Sequence, residues 1–494
     1  FVSDYINLRL LTRDEHMKVQ PLWAVEWSQS EQGFDIKLHP KAVCQNGEKA
    51  DAAMLQKSLE GSMGLLEGFK GALNAAKVKA ALDTFEVRGE HHLFIKTKSP
   101  DPGIFPIIGG HNYHLWWYGP AQYLLKVGHA EYVKNPLGCG PYKIKEYKPG
   151  DRVLFERWEE FWGEYPYWRK PQHKSMEWLK VPDGAARYAL LRSKQADMAT
   201  VLPYAIAKDL PRSEDGKRGV NPKKGPLWTQ TLRANGKMQV AFDLEMALKE
   251  GKADPAKWGN DPTLNPKVRE ALGLAIDKQA ILKTGYGFLI PNESIYNYAS
   301  YGWRKERAEQ PAPYDPAQAK KLLAEAGYPN GFETTAHFAE FAGRPNQKEA
   351  MDIIASNWKA IGVTVKVVEH DPFKYYADQD AGKRAYLPIN EWTWGRQENG
   401  IFIAQIGYAS TGFRSLYNDK TEALVKALSQ TLDEAKQLAL LAEIEDEVFR
   451  NAWIIPLYDA SAVYAYTDRV LEHPMPEFGA HFLDLHRIVL SGDR

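Results

Sequence analysis

The 494-residue sequence has only two cysteines, Cys44 and Cys139, no excess of either charge, and no long hydrophobic run. Two cysteines cannot build a disulfide scaffold, and no Cys-x-x-Cys pair or Cys/His cluster suggests zinc. By spacing alone they read as two free, partly buried thiols. Lysine plus arginine number 63, the same as aspartate plus glutamate. That balance argues against nucleic acid or an acidic membrane surface as the main partner, since both draw on a basic excess. Nothing approaches the roughly 18 consecutive apolar residues that a membrane-spanning helix needs. The opening Phe1-Val2-Ser3-Asp4-Tyr5 has neither the basic nor the apolar stretch of a signal peptide, and its first residue is that of a processed or trimmed chain.

The motifs of common catalysis are missing as well. There is no Gly-x-Gly-x-x-Gly, no Gly-Lys-Ser/Thr phosphate loop, no His-Glu-x-x-His and no Gly-x-Ser-x-Gly. The thirteen histidines are scattered, and His111 and His114 lack a third ligand at a telling distance. The sequence therefore supports no catalytic residue, no metal and no cofactor.

What is present is ordinary in bulk and unusual in its aromatics. With 44% hydrophobic and 26% charged residues, the composition is that of a soluble globular protein, and the length calls for two or three folding units. Aromatic residues make up 12%, with fifteen tryptophans and twenty-five tyrosines. They cluster at Trp116-Trp117-Tyr118, Tyr296-Asn297-Tyr298, Tyr301-Gly302-Trp303 and Trp392-Thr393-Trp394. Most belong to cores, yet a wall of Trp and Tyr also suits a ligand, offering apolar area, a stacking face and a polar tip.

Periodicity predicts strands at 33–39, 91–96, 142–144, 153–155, 363–368 and 453–457. It predicts helices opening at Asp51, over 184–198, over 267–283, from Asp315-Pro316 to Gly327, over 350–361, and as a pair within 421–450. Residues 203–266 are polar and carry few element signals. Helices and strands alternate through the second half, which points to α/β layers.

Several segments, in order, resemble the dipeptide/oligopeptide/nickel-binding type of extracytoplasmic solute-binding protein, solute-binding protein family 5. They are Pro21-Leu22-Trp23-Ala24 with Gly33 to Leu38; Val43-Cys44-Gln45-Asn46-Gly47; Asn135-Pro136-Leu137-Gly138-Cys139-Gly140-Pro141-Tyr142; and Phe161-Trp162-Gly163. They continue with Asn265 to Lys278, Tyr314 to Tyr328, and Trp358-Lys359-Ala360-Ile361-Gly362-Val363. Each motif is weak alone; seven in order span almost the whole chain.

The resemblance implies an α/β, two-lobed periplasmic binding protein fold with a hinge and an extra inserted subdomain in lobe I. Lobe I would comprise 1–25, 142–234 and 460–494, the inserted subdomain 26–141, and lobe II 235–459. It implies some tens of residues ahead of Phe1. It also implies a periplasmic or cell-surface monomer that binds a small-molecule ligand and delivers it to the permease subunits of an ABC transporter, with no nucleic acid as partner.

The family's pocket-lining Trp-Gly-x-Asp-Tyr stretch is matched by Trp394-Gly395-Arg396-Gln397-Glu398, where Gln397 takes the acidic position. A neutral amide pairs weakly with an ammonium group, so the departure favours a non-standard peptide, oligosaccharide, aromatic or anionic solute. The resemblance places Trp116 and Trp117 on the opposite lobe, with Tyr296 and Tyr298 as further candidates. Both cysteines replace other residues in segments that the resemblance makes neighbours, so it implies a Cys44–Cys139 disulfide as the alternative to free thiols. A peptide-holding, chaperone-like protein and a hydrolase are the rival readings.

Overall fold

The computed structural model describes residues 3–14, 18–67, 69, 71–72, 75–109, 118–165, 168–213, 217, 227–310, 313–340, 346–371, 374–375, 389–395, 399–410, 416–475 and 484–492.

Short apolar–polar alternations near the N-terminus fold into a four-stranded antiparallel sheet, ordered Ala24–Ser30, Gly33–Leu38, His92–Thr97, Leu82–Gly89. Phe34, Ile36 and Leu38 point inward while Lys37 is exposed, as period two requires. The helix Ala52–Ser62 is capped by Asp51, whose carboxylate accepts from the Met54 N–H at 2.8 Å. Met54, Leu55 and Leu59 share a core with that sheet. Cys44 and Cys139 are joined as a disulfide within this region. Their reading as free thiols gives way because the fold brings together two segments 95 residues apart.

An eight-stranded mixed sheet organises the rest. Its centre is two long antiparallel strands, Trp228–Ala241 and Ile454–Tyr466. The stretch that carries few element signals therefore contains a central strand. Its inward positions include Lys237 and Gln239, both fully buried, so hydropathy could not mark it.

Beyond Trp228–Ala241 come Ile389–Gly395, Phe332–Phe338 and Val363–Glu369. The last two pair in parallel, and the helix Gln347–Ala360 crosses between them. The helix expected over 267–283 is two, Pro266–Leu274 and Lys278–Thr284. The break falls where Asp277 turns to cap the second, accepting from the Ala280 N–H at 2.9 Å.

The two long strands slip register between Leu232↔Ala462 and Gly236↔Ala460, so three residues stand opposite Ser461 alone. In this bulge Ala234 takes φ +48°, a left-handed conformation uncommon outside glycine. Before the bulge, Trp228, Leu232, Tyr464 and Tyr466 pack with Tyr142, Val153 and Phe155. After it, Met238, Val240, Ile455 and Leu457 pack with Val268, Leu272 and Trp358. The architecture is two-lobed α/β, with the bulge lying between these two packed groups.

A buried histidine, His473, and a partly buried one, His173, make an acid-sensitive spot. His473 meets the Tyr466 hydroxyl at 2.8 Å, and His173 meets that of Tyr142 at 2.8 Å. Burial, reinforced by His486 and nearby arginines, pushes His473 down to about 3 and His173 to about 4. Between those values and the ordinary 6.5, the unfolded chain binds more protons than the folded one. Stability is then full above 6.5 and falls as pH drops toward 4. The melting temperature should decline between pH 7 and 5, where most carboxylates are still ionised, and His473→Gln should flatten that decline. Equal slopes in both proteins would show that His473 is not held neutral.

Candidate functional site

A cavity of about 450 Å³ opens between the N-terminal region and the second half of the chain. One wall carries Arg13, Gln29, Pro102 and Pro106; the other carries Tyr301, Asn399, Ile401, Leu432, Glu434 and Gln437. Arg13 ends the strand Leu11–Arg13, and Gln29 lies on Ala24–Ser30. The prolines bracket the start of the helix Ile104–Ile108.

On the far wall two helices begin at the cavity. Asn399 caps the helix Gly400–Gly407, its Oδ1 accepting from the Ile401 N–H at 2.9 Å. Asp433 caps the helix Glu434–Arg450, accepting from the Lys436 N–H at 2.7 Å. Tyr301 ties the two helices together. Its carbonyl accepts from the Gly400 N–H at 2.9 Å, and its hydroxyl donates to Gln437 Oε1 at 2.7 Å. A Cβ at position 400 would stand 2.2 Å from the Tyr301 carbonyl oxygen, so only glycine allows this approach. Burial, with the Glu434 and Asp433 carboxylates, pushes the Tyr301 phenol up to about 12. It is therefore a neutral donor at physiological pH.

The segment before Tyr301 is bolted to the sheet by buried polar groups. Asn292 donates to Asp459 Oδ2 at 2.5 Å and to the Tyr296 carbonyl at 2.9 Å, and its own carbonyl accepts from Lys237 Nζ at 3.1 Å. Asp459 also accepts from the Tyr298 N–H at 2.8 Å. Burial holds the Lys237 ammonium below its ordinary range, opposed by Asp459 and Glu293. Glu445, fully buried, accepts from Ser294 Oγ at 2.5 Å, the Ile295 N–H at 3.0 Å and Arg304 Nε at 2.8 Å. Such charges persist inside a protein only when paired and hydrogen-bonded.

Of the residues expected to meet a ligand, Tyr296 is fully buried, its hydroxyl donating to the Leu441 carbonyl at 2.9 Å. Its role in the structure is packing. Tyr298 is partly exposed, with Trp303 4.8 Å from its ring centre and the Arg233 guanidinium, from the bulge, 5.4 Å away. Trp394 lies on the strand Ile389–Gly395, its backbone opposite Lys237. Trp116, Trp117, Arg396, Gln397 and Glu398 lie outside the described residues. The last three run straight into Asn399 on the cavity wall, and Pro106 lies ten residues before Trp116. Arg13, Gln29, Glu434 and Gln437 carried no local signal; Tyr301 stood in an aromatic cluster, the one hint available.

The model of the bacterial extracellular solute-binding proteins, family 5 Middle, matches residues 18–408. The glutathione-binding protein GsiB of Salmonella paratyphi A is 25% identical over 506 residues, covering 95% of this chain and 86% of that protein. Among solved structures, the periplasmic binding protein DppA of Helicobacter pylori with the peptide STSA aligns at TM-score 0.78 and 16% identity, over 99% of this chain and 92% of that one. AgaA from A.tumefacien R10 with agropinic acid aligns at TM-score 0.76 and 19% identity, over 100% and 94%.

Proposed function

Since the chain belongs to the bacterial extracellular solute-binding proteins of family 5, receptors that deliver ligands to ABC importers, we propose that the cavity between Arg13 and Glu434 is its ligand site. The observation that carries this reading is a cavity of about 450 Å³ walled from both sides of the fold. That volume suits a small solute. The walls combine one cation, one carboxylate, three amides and a phenol with apolar Pro102, Pro106, Ile401 and Leu432. Such a lining favours a compact, polar or amphipathic solute with several hydrogen-bonding groups. The sequence candidates Arg396, Gln397 and Glu398, which precede Asn399 in the chain, and Trp116, Trp117 and Trp394 are part of the same proposal as further ligand contacts.

The lobe boundaries at 234/235 and 459/460, with the bulge as hinge, belong to the same proposal. Closure about that bulge would present both lobes to the permease together. We place the protein outside the cytoplasm as a monomer, binding rather than transforming its cargo and without nucleic acid as partner. The walled cavity supports a receptor over a loosely selective peptide holder, which needs a broad cleft.

A thermal-shift screen tests the reading. The ligands should include glutathione, other short peptides, opines such as agropinic acid, oligosaccharides, aromatic acids and metal chelates. A true ligand at about 100 times its Kd stabilises by about 2.7 kcal/mol, a shift of several degrees. Arg13→Gln should then weaken binding of that ligand at least about tenfold, as loss of a charged hydrogen bond does. No shift from any class, or unchanged affinity in Arg13→Gln, would overturn the assignment of this cavity.

A further inference from the structure

We propose that Gln405 is a closure latch: its carboxamide clasps the two walls together beside the cavity and tunes ligand affinity without touching the ligand. The proposal rests on the reading of the cleft as a site that closes over its cargo, but it concerns residues outside the cavity lining.

The Gln405 side chain is bonded at both ends. Its Oε1 accepts from Lys77 Nζ, and its Nε2 donates to Asp101 Oδ1 at 3.0 Å and to Ser429 Oγ at 2.7 Å. Lys77 and Asp101 come from the N-terminal region; Gln405 and Ser429 come from the helices Gly400–Gly407 and Asp419–Ser429. Among the described residues, the four-stranded N-terminal sheet shares no strand with the eight-stranded sheet. Side chains such as these join the two regions beside an apolar core that Ile104 and Phe105 share with Phe402 and Ile406. The Lys77 ammonium also lies 5.6 Å from the centre of the Phe402 ring. Gln405 itself is only 6% exposed.

The polarity of this clasp is informative. Its neighbours Ile401, Phe402, Ile403 and Ile406 are buried and apolar, in one core with Ile104 and Phe105 of the N-terminal region, so the clasp is the polar exception in that contact. A lysine, an aspartate, an amide and a hydroxyl satisfy one another when closed and are satisfied by water when open. The gain on closing is then modest and the closure reversible.

Position couples the clasp to the cavity. Asp101 precedes Pro102 of the near wall, and Gln405 lies one helical turn beyond Ile401 of the far wall. Gln29, also of the near wall, donates to the Asp101 carbonyl at 3.3 Å. A ligand that draws Pro102 and Ile401 together thus forms the latch in the same movement. Gly103 leaves room for it: a Cβ there would stand 2.3 Å from Gln405 Oε1. The backbone at Gly103, φ −79° and ψ −13°, accepts any residue. Gly103→Ala therefore displaces the amide without straining the main chain.

The test uses the full chain with spin labels on Thr84→Cys and Lys320→Cys, both exposed, the first on the N-terminal sheet and the second on the helix Pro316–Glu325. Interlobe distances are measured by pulsed electron resonance without ligand, then through a titration with the ligand found by thermal shift. Gln405→Met keeps length and packing, and Gly103→Ala keeps the glutamine; each variant is first shown to be folded by its circular dichroism. Both should lower the ratio of closed to open forms about tenfold, the loss of a charge-assisted bond, and raise the apparent Kd by a similar factor with faster release. Unchanged distances and unchanged Kd in both variants would overturn the latch. Failure of the ligand-site assignment looks different: Arg13→Gln would keep full affinity while the latch variants still shift the distances.

Discussion

Glu445→Ala is expected to destabilise the protein by about 3–5 kcal/mol, the range for breaking a buried, hydrogen-bonded ion pair. Glu445 is wholly buried and accepts from Ser294 Oγ, the Ile295 N–H and Arg304. Removing the carboxylate strands two donors where water does not reach, each worth about 1–3 kcal/mol. Arg304 retains Asp446 at 2.6 Å, but that carboxylate is half exposed, and such pairs contribute about 0–1 kcal/mol. Asp446→Ala should accordingly be nearly silent.

The contrast extends to binding. Glu445 anchors the segment that leads to Tyr301, which holds Gly400 and Gln437 on the cavity wall. Ligand affinity should fall in Glu445→Ala and survive in Asp446→Ala. Urea unfolding and a binding isotherm on both variants decide the matter. Equal losses at 445 and 446 would show that burial is not what makes Glu445 important.

The second large effect is covalent. Reducing Cys44–Cys139, or replacing both with serine, should lower stability by about 2–5 kcal/mol, toward the upper part of that range because the closed loop is long. The bridge spans 95 residues, and opening it returns that freedom to the unfolded chain. The fold itself should survive, since neighbouring bonds persist. Gln45 N–H still donates to the Gly138 carbonyl at 2.9 Å, its side chain to the Tyr142 carbonyl at 2.6 Å, and Gly140 N–H to Ile6 at 2.8 Å. Denaturation with and without reductant measures the change. Two titratable thiols in the unreduced protein, with no effect of reductant, would return the pair to free cysteines.

Local chemistry made much of this fold legible. The helix Pro316–Glu325 was readable from Asp315 as cap, Pro316 in the first turn and Gly327 beyond the end, where φ is +96°. The strand Val363–Glu369 followed from its alternation after the stop at Gly362. Ordered motifs of this kind carried the family assignment, because caps, turns and periodicities act within a few residues.

The central strand Trp228–Ala241 resisted the same reading because Lys237 and Gln239 are buried polar groups. Lys237 is accommodated by the Asn292 carbonyl, a partner fifty-five residues away that no local pattern foretells. The candidate site shows the division most plainly. Tyr301 stood in an aromatic cluster visible in the sequence, but Arg13, Gln29, Glu434 and Gln437 were unremarkable polar residues there. They acquire meaning only when strands and helices from opposite ends of the chain wall one cavity. Periodicity and capping thus settled the scaffold, while the site depended on long-range packing, since the energy of a buried polar contact depends on partners that only the folded chain supplies.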